Sequence, residues 1–372
     1  MSEQDTFLQK SGWGDAVVTP LPGDASTRRY ARLTRGNDRA MLMLQPQNAE
    51  APTAAADADE AERRALGYNA VARLAGADCG RFAAVSNYLR DRGLAAPQIH
   101  AADFPQGLVI LEDFGDALFA DVLAQGGSED ELYKSAVEVL ARLHAHPAPR
   151  HLPLAANGDA YPLFAYDEVA LLAETDLLTE WYLPLALGRA AMETEFLEHR
   201  RLWRAALDSI AGNPPVFVHR DYHAQNLIWM PERDGISRVG LIDFQDAVAG
   251  SRAYDLVSLI EDARRDVSPE LAEIATRHYL AAMNAQGTTV DETQFRHEMA
   301  VMAAQRNAKI VGIFARLYKR DGKDRYLAYL PRVWAYLERD LAHPSLAALR
   351  AWYDRTIPPS LRSPRPSEKV QL

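Results

Sequence analysis

The chain has 372 residues, 48% apolar and 25% charged, a composition of ordinary folded proteins that excludes a disordered chain. Its net charge of -10, from 41 basic and 51 acidic residues, opposes non-specific binding to nucleic acid and favours a small ligand. One cysteine, Cys79, excludes an intramolecular disulfide and a cysteine-built zinc site; with no basic-then-apolar start and no run of roughly 18 apolar residues, a cytoplasmic protein without membrane contact is expected.

This length implies about two domains. Three strands come first, Val17 to Leu21, Arg28 to Thr34 and Arg39 to Leu44, with RGND (Arg35 to Asp38) as a turn, which predicts a small antiparallel meander. An Ala-rich, charged segment at about 50–78 follows and is expected to be a peripheral surface helix or mobile insertion. Phe82, Val85, Tyr88 and Leu89 recur at helical spacing within Cys79 to Leu94, and GLVILEDFGD (Gly107 to Asp116) reads as a buried strand ending in polar residues. The first lobe, 1–112, ends there. Leu132, Ala136, Val139, Leu140 and Leu143 share one helical face, and further helices run to about Gly212. Ser268, Pro269 and Glu270 form an N-cap, a first-turn proline and an acidic first turn. Helices continue to about Tyr353, so 113–356 makes a mainly helical second lobe, and 357–372, rich in Pro, Ser and charge, is expected to be mobile. The fold class is α+β.

Within the second lobe lies VFVHRDYHAQNLIWM, Val216 to Met230, in which two apolar runs flank a cluster of His219, Arg220, Asp221, His223, Gln225 and Asn226. Burying such groups without partners is costly, so the cluster implies a ligand. The following PERDGIS and RVGLIDF predict a hairpin. Pairing Met230 with Arg238 places Asn226 opposite Ile242, so Asn226 and Asp243 meet at the hairpin's open end, with Asp221 just upstream. Two converging carboxylates repel unless a cation sits beside them, and magnesium, which takes hard oxygen ligands and keeps places for water and phosphate, suits Asn226 and Asp243.

His219-Arg220-Asp221, Asn226 five residues after the Asp, and Asp243-Phe244 resemble the catalytic and metal-binding loops of kinases, with Gln245 where protein kinases have Gly. Within that superfamily HRDYHAQN and LIDFQDA followed by AYDLVSLI resemble the aminoglycoside phosphotransferase (choline kinase-like) family. GDASTRRYARL, LIDFQDAVAGSRAYDLVSLIEDARRDV and QRNAKIVGIFARLYKRDGK are similar to the anomeric kinases of N-acetylmuramate and N-acetylglucosamine used in bacterial peptidoglycan recycling. The resemblance implies a bilobal protein kinase-like fold, with a small antiparallel-sheet lobe, a large mainly helical lobe, and ATP and Mg²⁺ bound in the cleft. It implies Asp221 as the residue that orients the acceptor hydroxyl and takes its proton, Asn226 and Asp243 as metal ligands, and Asp255 as a buttress of the catalytic loop.

The nucleotide side departs from the protein-kinase pattern. No lysine lies between Lys10 and Lys134, and Met41 and Met43 occupy the strand where the phosphate-gripping lysine would be sought. The cations on hand are Arg28, Arg29, Arg32 and Arg39, of which Arg28 is the candidate. The turn at Asp24, Ala25 and Ser26 offers backbone amides to phosphate, or is an ordinary hairpin loop. Glu112 and Phe114 are the candidates for meeting adenine at the inter-lobe hinge, against a plain strand-and-turn alternative.

For the acceptor, N-acetylmuramate carries a carboxylate that a basic side chain would meet. Arg306 and Lys309, three apart on one helix, are candidates, although a solvated basic face explains the same pattern. Trp181 in TEWY is a second candidate, as a platform for a sugar ring or as core. The expected function is an ATP- and Mg²⁺-dependent sugar 1-kinase acting on a small amino sugar. An aminoglycoside or other small-alcohol kinase and a catalytically silent binding module remain the rivals, and oligomeric state is not legible.

Overall fold

A computed structural model describes residues 2–23, 27–46, 50–154 and 160–362. The chain forms two compact units, one of Met1–Ala165 with His219–Ala249, the other of Tyr166–Val218 with Gly250–Leu372.

In the first unit a five-stranded antiparallel sheet contains β1 (Val17–Pro20), β2 (Arg29–Arg35), β3 (Asp38–Leu44), β4 (Ile99–Asp103) and β5 (Leu108–Leu111), in the order β1-β2-β3-β5-β4. The meander is formed as its alternation predicts, and Arg35 pairs with Asp38 at its turn. Alternate residues Ala31, Leu33, Ala40, Leu42, Leu108 and Ile110 build one apolar face, covered by Phe7 and Leu8 of the N-terminal helix Glu3–Lys10. All four β5 residues are buried, which explains their continuous apolar run: a strand covered on both faces has no polar side to alternate. β5 stops at Leu111, short of the polar residues at its end, and β4 was not anticipated, because IHAAD has one strong strand former and forms only by pairing with β5.

Helix Cys79–Asp91 begins at Asp78, whose carboxylate accepts from the Gly80 amide at 2.8 Å. Its apolar stripe, Phe82, Val85, Tyr88 and Leu89, is buried as the spacing predicts. Helix Glu129–His144 starts at Ser128 with three acidic residues in its first turn, which favour the positive end of the helix dipole.

The Ala-rich segment is peripheral only in part: its helix lies at the surface and the turn after it is buried. It folds as helix Glu60–Leu66, closed at its start by a reciprocal Asp59/Glu62 capping box, and a turn of helix at Tyr68–Val71. Ala70, Val71, Ala72 and Ala75 are buried. Their small side chains let backbone approach backbone closely.

The second unit is helical. Its 30-residue helix, Glu292–Asp321, packs against Glu168–Leu177, Ala253–Ile260 and Leu330–Asp340. Ser268 caps Pro269–Ala285 by accepting from the Leu271 amide at 3.1 Å. After Leu177 the backbone widens into one π turn, Leu178–Tyr182, which also packs against the long helix. Gly312 makes this possible, since a Cβ there would lie 2.4 Å from the carbonyl carbon of Leu177 and 2.6 Å from the nitrogen of Leu178. No helix among the described residues is long and apolar enough to cross a membrane.

Candidate active site

Leu227–Trp229 (β6) and Val239–Leu241 (β7) pair antiparallel, with Trp229 opposite Val239 and Leu227 opposite Leu241. The Met230 amide donates to the Arg238 carbonyl at 2.8 Å and the Ile242 amide to the Asn226 carbonyl at 3.2 Å, so the register is the one predicted. The connecting loop includes a 3₁₀ turn at Gly235–Arg238. Both flanks of the hairpin are held by backbone bonds: the Leu241 amide to the Ala95 carbonyl at 2.8 Å, and the Trp229 amide to the Ala117 carbonyl at 2.7 Å. An edge exposed to water would leave these groups unpaired. Here it is continued by neighbouring chain.

At the open end Asn226 Nδ2 donates to the Asp221 carbonyl at 2.9 Å and lies 3.4 Å from Asp243 Oδ2. The first bond orients the amide and leaves Asn226 Oδ1 as its acceptor oxygen. Within the loop, the His223 amide donates to the Asp221 carbonyl at 3.1 Å and the Asn226 amide to the His223 carbonyl at 2.8 Å. Beneath it, the Tyr222 hydroxyl donates to the Ala136 carbonyl at 2.8 Å. His219, fully buried, meets Tyr222 and Phe244 edge-on, and Phe244 stacks on Phe82 at 4.8 Å. Asp221 is half-buried.

Asp243 keeps 43% of its side-chain surface accessible, yet the enclosing protein raises its pKa above the usual carboxylate range by desolvation; Arg28 opposes that rise and the negative charge of Asp221 adds to it. Its Oδ1 accepts from Arg28 at 3.3 Å and from Gln245 Nε2 at 3.1 Å. The negative charges of Asp221 and Asp243 thus act on each other beside the Asn226 side chain, a place where extra positive charge is favoured. This donor set fits a hard divalent cation that retains water and phosphate oxygens as its other ligands.

Of the four candidate arginines Arg28, Arg29, Arg32 and Arg39, the structure distinguishes one. Arg32 is engaged by Asp113, at 2.7 Å, and by Asp116, also at 2.7 Å, which keep it firmly charged, while Arg29 and Arg39 are exposed. Arg28 alone among them pairs with a residue of the loop cluster. Asp24, Ala25 and Ser26 lie outside the described residues.

Glu112 spends its amide on the Gln98 carbonyl at 2.8 Å and its carboxylate on Arg233 at 2.7 Å and Arg90 at 3.4 Å. Phe114 lies against Gly240, where a Cβ would be 2.8 Å from its ring, and beneath the Arg233 guanidinium at 5.0 Å.

The acceptor candidates all belong to the second unit. Trp181 is half-buried on the π turn. Arg306 and Lys309 do not form a solvated face: Arg306 is 5% exposed and donates to the Glu261 carbonyl at 3.1 Å. Lys309 Nζ lies 2.8 Å from Glu174 and 3.2 Å from the Tyr254 hydroxyl, and Glu174 also accepts from Gln305 and Tyr166. Charge spacing alone does not separate a buried pair from a wet one. Asp255 is fully buried in the first turn of Ala253–Ile260.

Sequence reasoning noted Arg220 and Gln245 without giving them a role and passed over Asp246; the partners of all three are set by long-range packing. The unusual Gln245, standing where a Gly was anticipated, was the available signal.

A family model of the phosphotransferase enzyme family matches residues 17–290, and the chain belongs to that family. It is 43% identical to the N-acetylmuramate/N-acetylglucosamine kinase of Caulobacter vibrioides over 359 residues, covering 96% of each chain. It is 32% identical to the protein of the same name from Pseudomonas aeruginosa, covering 91% of this chain and 89% of that one. Among solved structures, choline kinase LicA from Streptococcus pneumoniae matches with a TM-score of 0.56 at 15% identity, over 93% of this chain and 100% of that one. The ADP-bound aminoglycoside phosphotransferase APH(2'')-Ib matches at 0.54 with 14% identity, over 94% of this chain and 99% of that one. The shared fold is α+β, an antiparallel sheet followed by a mostly helical region.

Proposed function

We propose that this chain is a sugar kinase that transfers the terminal phosphoryl group of ATP, with Mg²⁺, to the anomeric hydroxyl of N-acetylmuramate or N-acetylglucosamine. The observation that carries the reading is the near-complete alignment with two kinases named for those sugars, in a chain whose loop cluster holds Asp221, Asn226 and Asp243 together. Phosphoryl transfer asks the protein mainly for positioning and electrostatic stabilisation. Asp221 orients the acceptor hydroxyl and takes its proton. Asn226 and Asp243 hold the metal, which when bound offsets charge on the transferring group. Arg28 supplies the cation that the absent lysine would otherwise provide, and Asp24, Ala25 and Ser26 offer amides to the phosphates. Glu112 and Phe114 are the candidates for bordering the adenine, and Trp181 is the remaining candidate for the acceptor, since Arg306 and Lys309 are engaged by Glu261 and Glu174. The setting is the cytoplasm, where recycled wall sugars are rephosphorylated.

The test is purified protein with ATP and Mg²⁺ and, separately, N-acetylmuramate, N-acetylglucosamine, kanamycin and choline, followed by phosphorus NMR. An acid-labile sugar 1-phosphate from either amino sugar is expected. Turnover of kanamycin or choline alone overturns the reading.

A further inference from the structure

Among the described residues only three non-glycine residues have left-handed backbone, Arg73 at φ 58°, Arg220 at φ 80° and Asp243 at φ 61°. Such conformations cost about 1–3 kcal/mol each and persist only where their surroundings enforce them. All three belong to one connected cluster in the first unit. The 2%-exposed guanidinium of Arg220, next to Asp221, donates to the carbonyls of Ala72 at 2.9 Å and Arg73 at 3.5 Å. The Ala75 amide donates to Asp246 Oδ1 at 2.6 Å. Asp246 Oδ2 accepts from Gln245 Nε2 at 3.3 Å, and the same Nε2 donates to Asp243 Oδ1 at 3.1 Å.

We propose that the buried turn Ala72–Ala75 of the Ala-rich segment is a positioning element of the phosphoryl-transfer site: it holds the catalytic loop through Arg220 and the metal-binding Asp243 through Asp246 and Gln245. This rests on the reading of Asp221, Asn226 and Asp243 given above. The turn is well anchored for such a task. Arg63, 2% exposed, donates to the Val71 carbonyl at 2.5 Å, and Arg73 donates to the carbonyls of Ala55 at 2.7 Å and Ala56 at 3.0 Å while lying over the Phe164 ring at 5.1 Å. Hydrogen bonds with a charged partner are the strong ones. Here the charged groups of the loops bind the turn's main chain, so the contact depends on the path of the segment and not on its side chains. Asp246 and Gln245 are positioning residues, acting through Asp243.

The experiment compares wild type with Asp246→Ala, Asp246→Asn, Gln245→Met and the double variant Gln245→Met/Asp246→Ala. Mn²⁺ binding in the presence of ADP is read by water-proton relaxation, kcat and KM with N-acetylmuramate by steady-state assay, and folding by calorimetry. Removing groups that orient a metal ligand lowers metal affinity or activity about 10–100-fold. Asp246→Ala is therefore expected to weaken Mn²⁺ binding and lower kcat within that range, with KM for the sugar within about twofold. Asp246→Asn, which keeps an acceptor for the Ala75 amide, falls between it and wild type. The double variant is no worse than Gln245→Met, because once Gln245 no longer reaches Asp243 the Asp246 link to Ala75 has no path to the metal ligand. Arg64→Ala, on the exposed side of the segment and paired with Glu60 at 2.6 Å, changes none of these. Wild-type Mn²⁺ affinity in Asp246→Ala overturns the proposal, as does a loss that calorimetry accounts for entirely by unfolded protein. Wild type that binds Mn²⁺ with ADP but phosphorylates neither amino sugar sinks the substrate reading alone, since the Mn²⁺ comparison still decides this one.

Discussion

Lys309→Met is the sharpest test of what the second unit's buried charges do. Lys309 keeps 13% of its side-chain surface and Glu174 none, so water screens their 2.8 Å contact little. Methionine preserves most of the apolar stem, and the packing loss is small. What remains is a buried carboxylate without its cation, and breaking such a pair from one side costs about 3–5 kcal/mol. Gln305, donating at 3.1 Å, and the Tyr166 hydroxyl still serve Glu174, which places the loss near the lower end. For a unit of this size each kcal/mol moves the midpoint by about 2–4 °C, so the calorimetric transition should fall by about 6–12 °C. Lys309→Met/Glu174→Gln, which removes the stranded charge and keeps an acceptor for Gln305, should regain at least half. A single variant that melts within about 1 °C of wild type, with no gain in the double, would refute the argument. In that case a selective rise in KM for N-acetylmuramate would assign Lys309 to the acceptor's carboxylate instead.

Asp221→Asn should lower kcat by about 10²–10⁴-fold, the usual contribution of a positioned base, with an unchanged melting transition; near-normal turnover in the steady-state assay removes Asp221 from its role. Gly312→Ala forces a Cβ to 2.4 Å from the Leu177 backbone. Because backbone yields less than a side-chain tip, a cost at the upper end of about 1–3 kcal/mol is expected in chemical denaturation. Asp340 is held well above the ordinary carboxylate range by burial first and by neighbouring Glu261 second, with Asn307 donating to both at 2.9 and 2.6 Å. A carboxyl whose folded pKa exceeds its unfolded value stabilises fully below the unfolded value, near 3.8, and loses that contribution as pH rises through the folded one. Asp340→Asn should therefore melt no lower than wild type at pH 8, with its relative advantage shrinking toward pH 5; an advantage that grows on acidification reverses the sign and defeats the assignment.

Much of the site was legible because its information is local. Two apolar runs flanking Asp234-Gly235 read as a hairpin, and pairing Met230 with Arg238 then brings Asn226 opposite Ile242, as the backbone bonds have it. Asn226 and Asp243 were placed together on that ground, and the stripes of Cys79–Asp91 and Glu129–His144 on the ground of helical period. Only tertiary structure decided which arginine reaches the site, because Arg28 and Asp243 stand 215 positions apart and nothing near Arg28 distinguishes it from Arg32. It likewise turned Lys309 from a surface charge into one half of a buried pair, and brought an alanine-rich stretch, featureless by pattern, beneath the catalytic loop. Periodicity reports which face of an element avoids water; the partner waiting for a buried charge is set by whichever distant backbone or carboxylate packing brings within hydrogen-bond reach.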